Sequence, residues 1–175
     1  MRRISLVGAA IIAALLTIGV AAVAAKTPVK GKKVTTKVTC TLALTAEVPA
    51  GDTVVTPGDP QGTQFGFVHC GKLFGSGVQT DPFAQTSGGD VVGSYRQYFG
   101  AGSVHGQYDL AVTQQSAPTT TTFTAASYAG TVSVTGGSGA YAGVTGKGTL
   151  ACSTADSIHT SCTEHLKLKL KLPAA

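Results

Sequence analysis

Apolar and polar residues alternate along most of the chain beyond residue 37. The clearest run lies near the C-terminus, where lysines separate Leu166, Leu168, Leu170 and Leu172. Similar alternation covers residues 38–48, 103–113 and 131–135, and weaker alternation covers 64–73 and 91–99. A period of two puts successive side chains on opposite faces of a strand, and no helix-period segment follows the N-terminal region. The pattern therefore predicts a chain of strands, each with one apolar face.

Clusters of Gly, Pro and Asp separate these runs at residues 49–62, 81–90 and 114–122. The first cluster is long for a hairpin turn and predicts a mobile loop. About eight antiparallel strands must hide their edges, in a closed barrel or in a sandwich. One apolar face and one face of Thr, Ser and Lys are typical of a water-soluble barrel. We predict an all-β fold, a single antiparallel closed β-barrel of about eight strands over residues 38–173.

The N-terminal residues 1–25 contain two arginines, then an uncharged apolar run that ends in small residues. This is the pattern of a secretory signal peptide with cleavage near residue 25. An uncleaved membrane anchor is the alternative, because the run is long enough to span a bilayer. Residues 26–37 are rich in lysine and predict a basic leader ahead of the barrel. We expect a secreted or cell-envelope protein, without stable membrane insertion once the signal is removed.

The chain has four cysteines, Cys40, Cys70, Cys152 and Cys162. An even number in an exported chain predicts two disulfide bonds, for which three connectivities exist. Cys152 and Cys162 flank the short polar stretch STADSIHTS, which is typical of a hairpin turn. We therefore predict the pairs Cys152–Cys162 and Cys40–Cys70, so that the disulfides staple the barrel.

The stretch VTGGSGAYAGVTGKGTL, residues 134–150, is rich in glycine and partly fits a dinucleotide-binding pattern. That function needs a helix directly after the glycines, whose N-terminus binds the pyrophosphate. Glycine and threonine continue through the stretch, which excludes a stable helix. We predict a turn at residues 136–139 and the beginning of the next strand at residues 141–144. Gly146 and Gly148 would lie in that strand, where close packing excludes side chains.

The same stretch resembles the glycine motif of the allene oxide cyclase and dirigent β-barrel superfamily, which joins two late barrel strands. The positions that match are Val134, Gly136, Gly137, Ser138, Gly139, Tyr141, Gly143 and Gly146. The residues Tyr98-Phe99-Gly100 resemble a further part of the cyclase sequence, whereas the first half of the chain does not follow its pattern. The resemblance implies an eight-stranded barrel that is often trimeric. It does not imply a reaction.

Glu164 is the candidate catalytic residue. It is in phase with Leu166 and Leu168, which puts its carboxyl group on the apolar face. Burial should raise the pKa of such a group and suit it to act as a general acid or base on an apolar molecule. The alternative is a strand end or a bulge that turns Glu164 outward.

Three tyrosines are candidates for lining a ligand cavity. Tyr108 shares the apolar face with Leu110, and Tyr95 and Tyr98 lie in a strand of weaker phase. The alternative is that these tyrosines are ordinary core residues, as aromatic side chains in a barrel often are.

His159, Cys162 and His165 form a pattern that could bind zinc, but in a strand the histidines and the cysteine face opposite sides. We expect no metal and no cofactor. Nucleic acid is not an expected partner, because the chain has an export signal and no recognition motif. The candidate partners are a small apolar ligand and further copies of the chain.

Two classes of function remain. The favoured one is a non-catalytic module that binds a small apolar ligand or takes part in the structure of the cell envelope. The alternative is a cyclase, isomerase or dirigent-like coupling protein that acts on a hydrophobic molecule in the barrel. Binding is favoured because Glu164 is the one acid or base that the sequence places in the interior.

Overall fold

A computed structural model describes residues 33–47, 62–86, 89–116 and 125–171. The predicted signal peptide, residues 26–32 of the leader, most of the first predicted loop and most of the Thr-rich run after residue 116 lie outside these ranges.

The described chain forms one closed antiparallel barrel of eight strands, which confirms the predicted fold class. Each strand pairs with the next, and β8 returns to pair with β1, so the sheet has no free edge. The strands are β1 Lys33–Glu47, β2 Gly62–His69, β3 Ser76–Gln85, β4 Val91–Phe99, β5 Gly102–Gln115, β6 Ala126–Gly137, β7 Thr145–Thr154 and β8 His159–Lys171.

The alternation of the sequence decides which side chains enter the barrel. In β8, Leu166, Leu168 and Leu170 are buried and the lysines between them are exposed. β1 shows the same pattern and begins at Lys33, earlier than the predicted leader boundary at residue 37. The reason is pairing: Val34 lies opposite Leu170. Part of the predicted leader is therefore barrel strand.

Aromatic side chains close one end of the barrel. A short helix, α1 (Gly71–Phe74), joins β2 to β3, and a 3-10 turn at Gly139–Tyr141 joins β6 to β7. The ring centroid of Phe74 lies 5.2 Å from that of Phe99 and 4.6 Å from that of Tyr141. The strand predicted over 64–73 therefore ends at His69, and the strand predicted from 141 begins at Thr145, because these segments fold over the barrel end instead.

The glycine-rich stretch lies where two strands approach closely. A Cβ atom on Gly148 would come within 1.8 Å of the backbone oxygen of His165 in β8. One on Gly146 would come within 2.6 Å of the backbone oxygen of Lys167. Both glycines lie in β7, so the prediction that close packing requires them is confirmed.

Both predicted disulfides are present, Cys40–Cys70 and Cys152–Cys162. All four cysteines are buried, and Cys152 lies directly opposite Cys162 in the β7–β8 pairing. Two disulfides indicate an oxidising environment, extracellular or in the cell envelope. Within the described ranges, no helix has the length and apolar character needed to cross a membrane.

Candidate functional site

The end of the barrel opposite the aromatic cluster contains a cavity of about 240 Å³. We call this end the mouth. It lies where β1, β3, β5 and β7 end and where β2, β4, β6 and β8 begin. Leucines from β1, β5 and β7 form much of the cavity wall, together with Phe83, Val91 and the Cys152–Cys162 disulfide. Polar side chains also line it, among them Gln64, Gln79, Asp81, Tyr108 and Thr160. The cavity lining is thus mixed, with about as many hydrogen-bonding side chains as apolar ones.

Asp81 reaches the wall of the cavity because it lies in β3 with its side chain pointing inward. Asp81 and Pro82 are typical turn residues, so the sequence predicts a loop at 81–90. The structure corrects this prediction, since β3 continues to Gln85. The pairing of β3 with β4 skips Asp81 and Pro82, which suits a proline that has no backbone N–H to donate.

A chain of hydrogen bonds runs from Asp81 into the centre of the barrel. The Tyr108 hydroxyl donates to Oδ1 of Asp81 at 3.0 Å, and Nε2 of Gln79 donates to Oδ2 at 2.7 Å. Nε2 of Gln97 donates to Oε1 of Gln79 at 2.9 Å and to Oε2 of Glu164 at 3.2 Å. Two amides therefore connect two buried carboxyl groups that come from β3 and β8.

Burial shifts the titration of both carboxyl groups. Desolvation raises the pKa of Asp81 to about 6, although the hydrogen bonds from Gln79 and Tyr108 oppose the shift. Desolvation likewise raises the pKa of Glu164 to about 7, opposed by the hydrogen bond from Gln97. The buried polar and charged residues of the described chain include no lysine, arginine or histidine, so no cation offsets these shifts.

Glu164 points into the barrel, as the alternation of β8 predicts, and is only 2% exposed. The alternative of an outward-turned side chain is therefore excluded. Its neighbours Thr160 and Cys162 line the cavity, but Glu164 comes later in β8, towards the closed end, and does not line the wall. A ligand in the cavity would thus contact Thr160 and Cys162, which lie nearer the mouth, and not Glu164.

The three candidate tyrosines occupy three different positions. Tyr108 lines the cavity and donates to Asp81. Tyr95 is buried, below the cavity wall, where burial and then the nearby Glu164 raise the pKa of its phenol. Tyr98 does not face the interior, which corrects the expectation for this residue. Its side chain is 45% exposed on the outer surface, because it alternates with the inward residues of β4.

Gln79, Asp81 and Gln97 belong to the site but are not marked by the sequence pattern. The glutamines lie in strands of weak alternation, where nothing in the sequence marks one neutral amide as buried. The signal available was phase: Gln97 is two residues from Tyr95 and from Phe99, both of which are buried.

Cys162 forms a disulfide, so the pattern of His159, Cys162 and His165 provides no thiolate for a metal. In the described ranges, no group of three or more His, Cys, Asp or Glu side chains is arranged to hold a metal ion.

No protein-family model, no curated protein and no solved structure matches this chain. Function has to be argued from the cavity and its residues.

Proposed function

We propose that this protein is an exported β-barrel that binds a small, mainly apolar molecule in the cavity at its mouth. The observation that carries the proposal is the cavity itself, which lies next to the packed core and has leucine, phenylalanine and a disulfide alongside its polar lining residues. Apolar walls with a few hydrogen-bonding groups are the usual composition of a small-molecule site.

The size and chemistry of the cavity limit the ligand. Its volume of about 240 Å³ is below the range of about 300–1,000 Å³ that holds drug-sized molecules. A molecule with a single ring or a short chain fits this volume. The amides of Gln64 and Gln79 and the hydroxyl groups of Tyr108 and Thr160 can orient one polar group of the ligand.

Binding is favoured over catalysis by the burial of the two acids. The Asp81 side chain lies against the cavity, but the residue is 0% exposed because Gln79 and Tyr108 cover its carboxyl oxygens. Glu164 lies below the wall and is 2% exposed. A general acid or base must come within hydrogen-bond distance of the proton it transfers. Neither carboxyl group offers a ligand that contact without rearrangement.

The proposal includes the setting of the protein. The disulfides and the signal-like residues 1–25 support secretion followed by removal of those residues. The glycine stretch joins β6 to β7, two late strands of an eight-stranded barrel, which supports membership of the cyclase and dirigent superfamily. That membership would imply a homo-oligomer. Phe67, Val78 and Tyr98 form an exposed row across β2, β3 and β4 that an assembly could bury.

Binding can be tested with indole as a probe, by saturation-transfer NMR and calorimetry. Leu44→Trp fills the cavity from its wall and should abolish the binding. Val78→Trp makes the same addition on the outer surface, where Val78 is 46% exposed, and should leave binding unchanged. Equal binding of indole by both variants would show that indole binds somewhere other than this cavity. Failure of indole and of other single-ring probes to bind, with no small molecule found by native mass spectrometry, would end the proposal.

A cyclase or isomerase acting on a hydrophobic substrate is the second candidate. It is favoured by the contact between Asp81 and Tyr108, which places an acid of pKa about 6 behind a cavity-lining phenol. Asp81→Asn and Glu164→Gln keep the shapes of the side chains but replace each carboxyl group with an amide that cannot transfer a proton. If a substrate is turned over, both variants should lose rate but keep ligand affinity. Unchanged turnover in both would exclude these acids from the chemistry.

A further inference from the structure

Six lysines share one outer face of the barrel, which we call the lysine face. It is formed by β1, β8 and β7, and all six side chains are exposed. Its members are Lys33, Lys37, Lys147, Lys167, Lys169 and Lys171.

The strand register brings these charges together. Lys167 lies directly opposite Lys37 on one side and directly opposite Lys147 on the other. Lys33 lies opposite Lys171. Adjacent strands are about 4.8 Å apart, so the row of Lys37, Lys167 and Lys147 spans about 10 Å. Like charges in directly opposed positions destabilise a sheet. The fold thus keeps an arrangement that opposes its own stability.

Few carboxylates of the described chain lie near this face: Asp109 of β5 lines the same shallow surface depression as Lys147 but forms no ion pair with it. The one outward carboxylate on the described strands β1, β7 and β8 is Glu47, at the mouth end of β1. None of the six lysines forms an ion pair with a described residue. A concentrated positive surface with so few neighbouring carboxylates attracts anions from outside.

Charge is also separated along the barrel. The lysine face lies towards the closed end, because β1 begins there and β8 ends there. Glu47, Asp90 and Asp156 lie at the mouth, beside the ends of their strands. A negatively charged surface would therefore attract the lysine face and repel the mouth.

The connection to the N-terminal segment indicates which anionic surface is involved. The apolar run of residues 4–25 is followed by Lys26, Lys30 and Lys32, and then by Lys33 of the lysine face. Residues 26–32 span at most about 25 Å even when fully extended. Any membrane that the apolar run engages during export is thus within reach of the lysine face. Basic residues next to an apolar segment are typical of contact with anionic headgroups.

We propose that the lysine face docks on a bilayer surface rich in anionic phospholipid, with the cavity mouth turned towards the solvent. This contact is peripheral and does not insert the barrel. It is independent of whether the cavity holds a ligand, since no lysine of the face lines the cavity.

The test is co-sedimentation of the full chain with vesicles of phosphatidylglycerol and phosphatidylcholine, compared with phosphatidylcholine alone. The quantity measured is the ratio of the two partition coefficients, because residues 4–25 contribute to partition into both vesicle types. We expect a strong preference for the anionic vesicles that disappears in molar salt. Each lysine that contacts the surface should contribute roughly a fivefold preference.

Variants separate this face from general positive charge. Lys167→Gln, in the centre of the row, should lower the preference roughly fivefold, and the triple change at Lys37, Lys147 and Lys167 by on the order of 100-fold. Arg96→Gln removes an exposed cation from β4, on the side of the barrel opposite β8, and should lower the preference less than about twofold. The Lys167→Gln protein should unfold at the same or a higher temperature, because a like-charge contact is removed.

Three results would overturn the proposal. The first is equal partition of the wild-type chain into both vesicle types. The second is a preference that Arg96→Gln and Lys167→Gln lower equally. The third is capture by soluble polyphosphate without a preference for anionic vesicles, which would assign the face to a soluble polyanion. If the triple variant does not fold, the comparison of the two single variants decides.

Discussion

Nε2 of Gln97 in β4 lies 3.2 Å from Oε2 of Glu164 in β8, in the centre of the barrel. The same nitrogen donates to Gln79, which in turn donates to Asp81. A neutral amide therefore stands where a buried carboxylate would ordinarily have a cation. An amide satisfies the geometry of a hydrogen bond but does not offset the cost of burying a charge. This arrangement makes the stability of the barrel depend on pH.

We predict that the barrel is more stable at pH 5 than at pH 8. Burial raises the pKa of Asp81 from 3.8 to about 6 and that of Glu164 from 4.5 to about 7. Between about pH 4 and pH 7 the folded state therefore binds more protons than the unfolded state, so stability falls as the pH rises through this window. The difference should be of the order of a few kcal/mol. Guanidinium unfolding at both values measures it.

The variant Glu164→Gln tests the origin of this dependence, because its side chain is neutral at every pH. It should reduce the difference between pH 5 and pH 8 by roughly two thirds, because the shifted pKa of Glu164 lies further inside this interval than that of Asp81. Asp109→Asn removes an exposed carboxylate from the outer face of β5 and serves as the control, with no change expected. Stability that is independent of pH in the wild type, or that increases from pH 5 to pH 8, would contradict the prediction.

Gln97→Leu should destabilise the barrel more at pH 8 than at pH 5. The change leaves Glu164 without this donor, and a hydrogen bond to a charged group contributes about 1.5–3 kcal/mol, more than one to a neutral acid. Thermal unfolding at the two pH values gives the comparison. The matched variant Gln107→Leu lies on the exposed face of β5 and should change stability by less than about 0.5 kcal/mol. An equal loss at both pH values would show that Gln97 acts by packing alone.

The two disulfides should contribute unequally. Cys40–Cys70 closes a separation of 30 residues and Cys152–Cys162 one of 10. Loop-closure entropy then gives about 3.6 and 2.7 kcal/mol, respectively. Denaturant unfolding of the two double alanine variants should differ by about 1 kcal/mol. A larger loss on removal of the shorter bridge would mean that its contacts in the cavity wall outweigh the entropy of the loop.

Gly148→Ala should destabilise the barrel severely, by more than about 3 kcal/mol, or prevent folding. Its Cβ would overlap the backbone oxygen of His165, which the sheet holds in place. Gly100→Ala is the matched control, because no atom lies within 4 Å of the position of its Cβ. Circular dichroism and thermal melting of the two variants make the comparison. A stable Gly148→Ala barrel would show that β7 and β8 can separate locally.

The period-two pattern of apolar and polar residues predicted most of the strands of the fold. It predicted the strands, their apolar faces and the inward position of Glu164, because side-chain direction in a strand depends only on the parity of position. The disulfide pairs were predictable from the even number of cysteines and from the short polar stretch between Cys152 and Cys162. Where the pattern was interrupted, prediction was less accurate. Tyr98 was assigned to the interior from a strand of weak phase, and the short helix and the turn at the closed end have no period to detect.

The chain by itself determined the faces of its strands, but the tertiary structure decided which side chains meet. Gln97 and Glu164 are 67 residues apart and belong to strands that are not neighbours in the sheet, so they come together only across the interior of the closed barrel. The sequence did not predict that Asp81 lies in a strand, because the adjacent Pro82 is typical of a turn. In the structure, pairing with β2 holds both residues in β3. The lysine face arises in the same way, because closure of β8 on β1 sets Lys37 against Lys167. The alternation of the sequence sets the direction of each side chain, whereas the register of the strands and the closure of the barrel set which side chains contact one another.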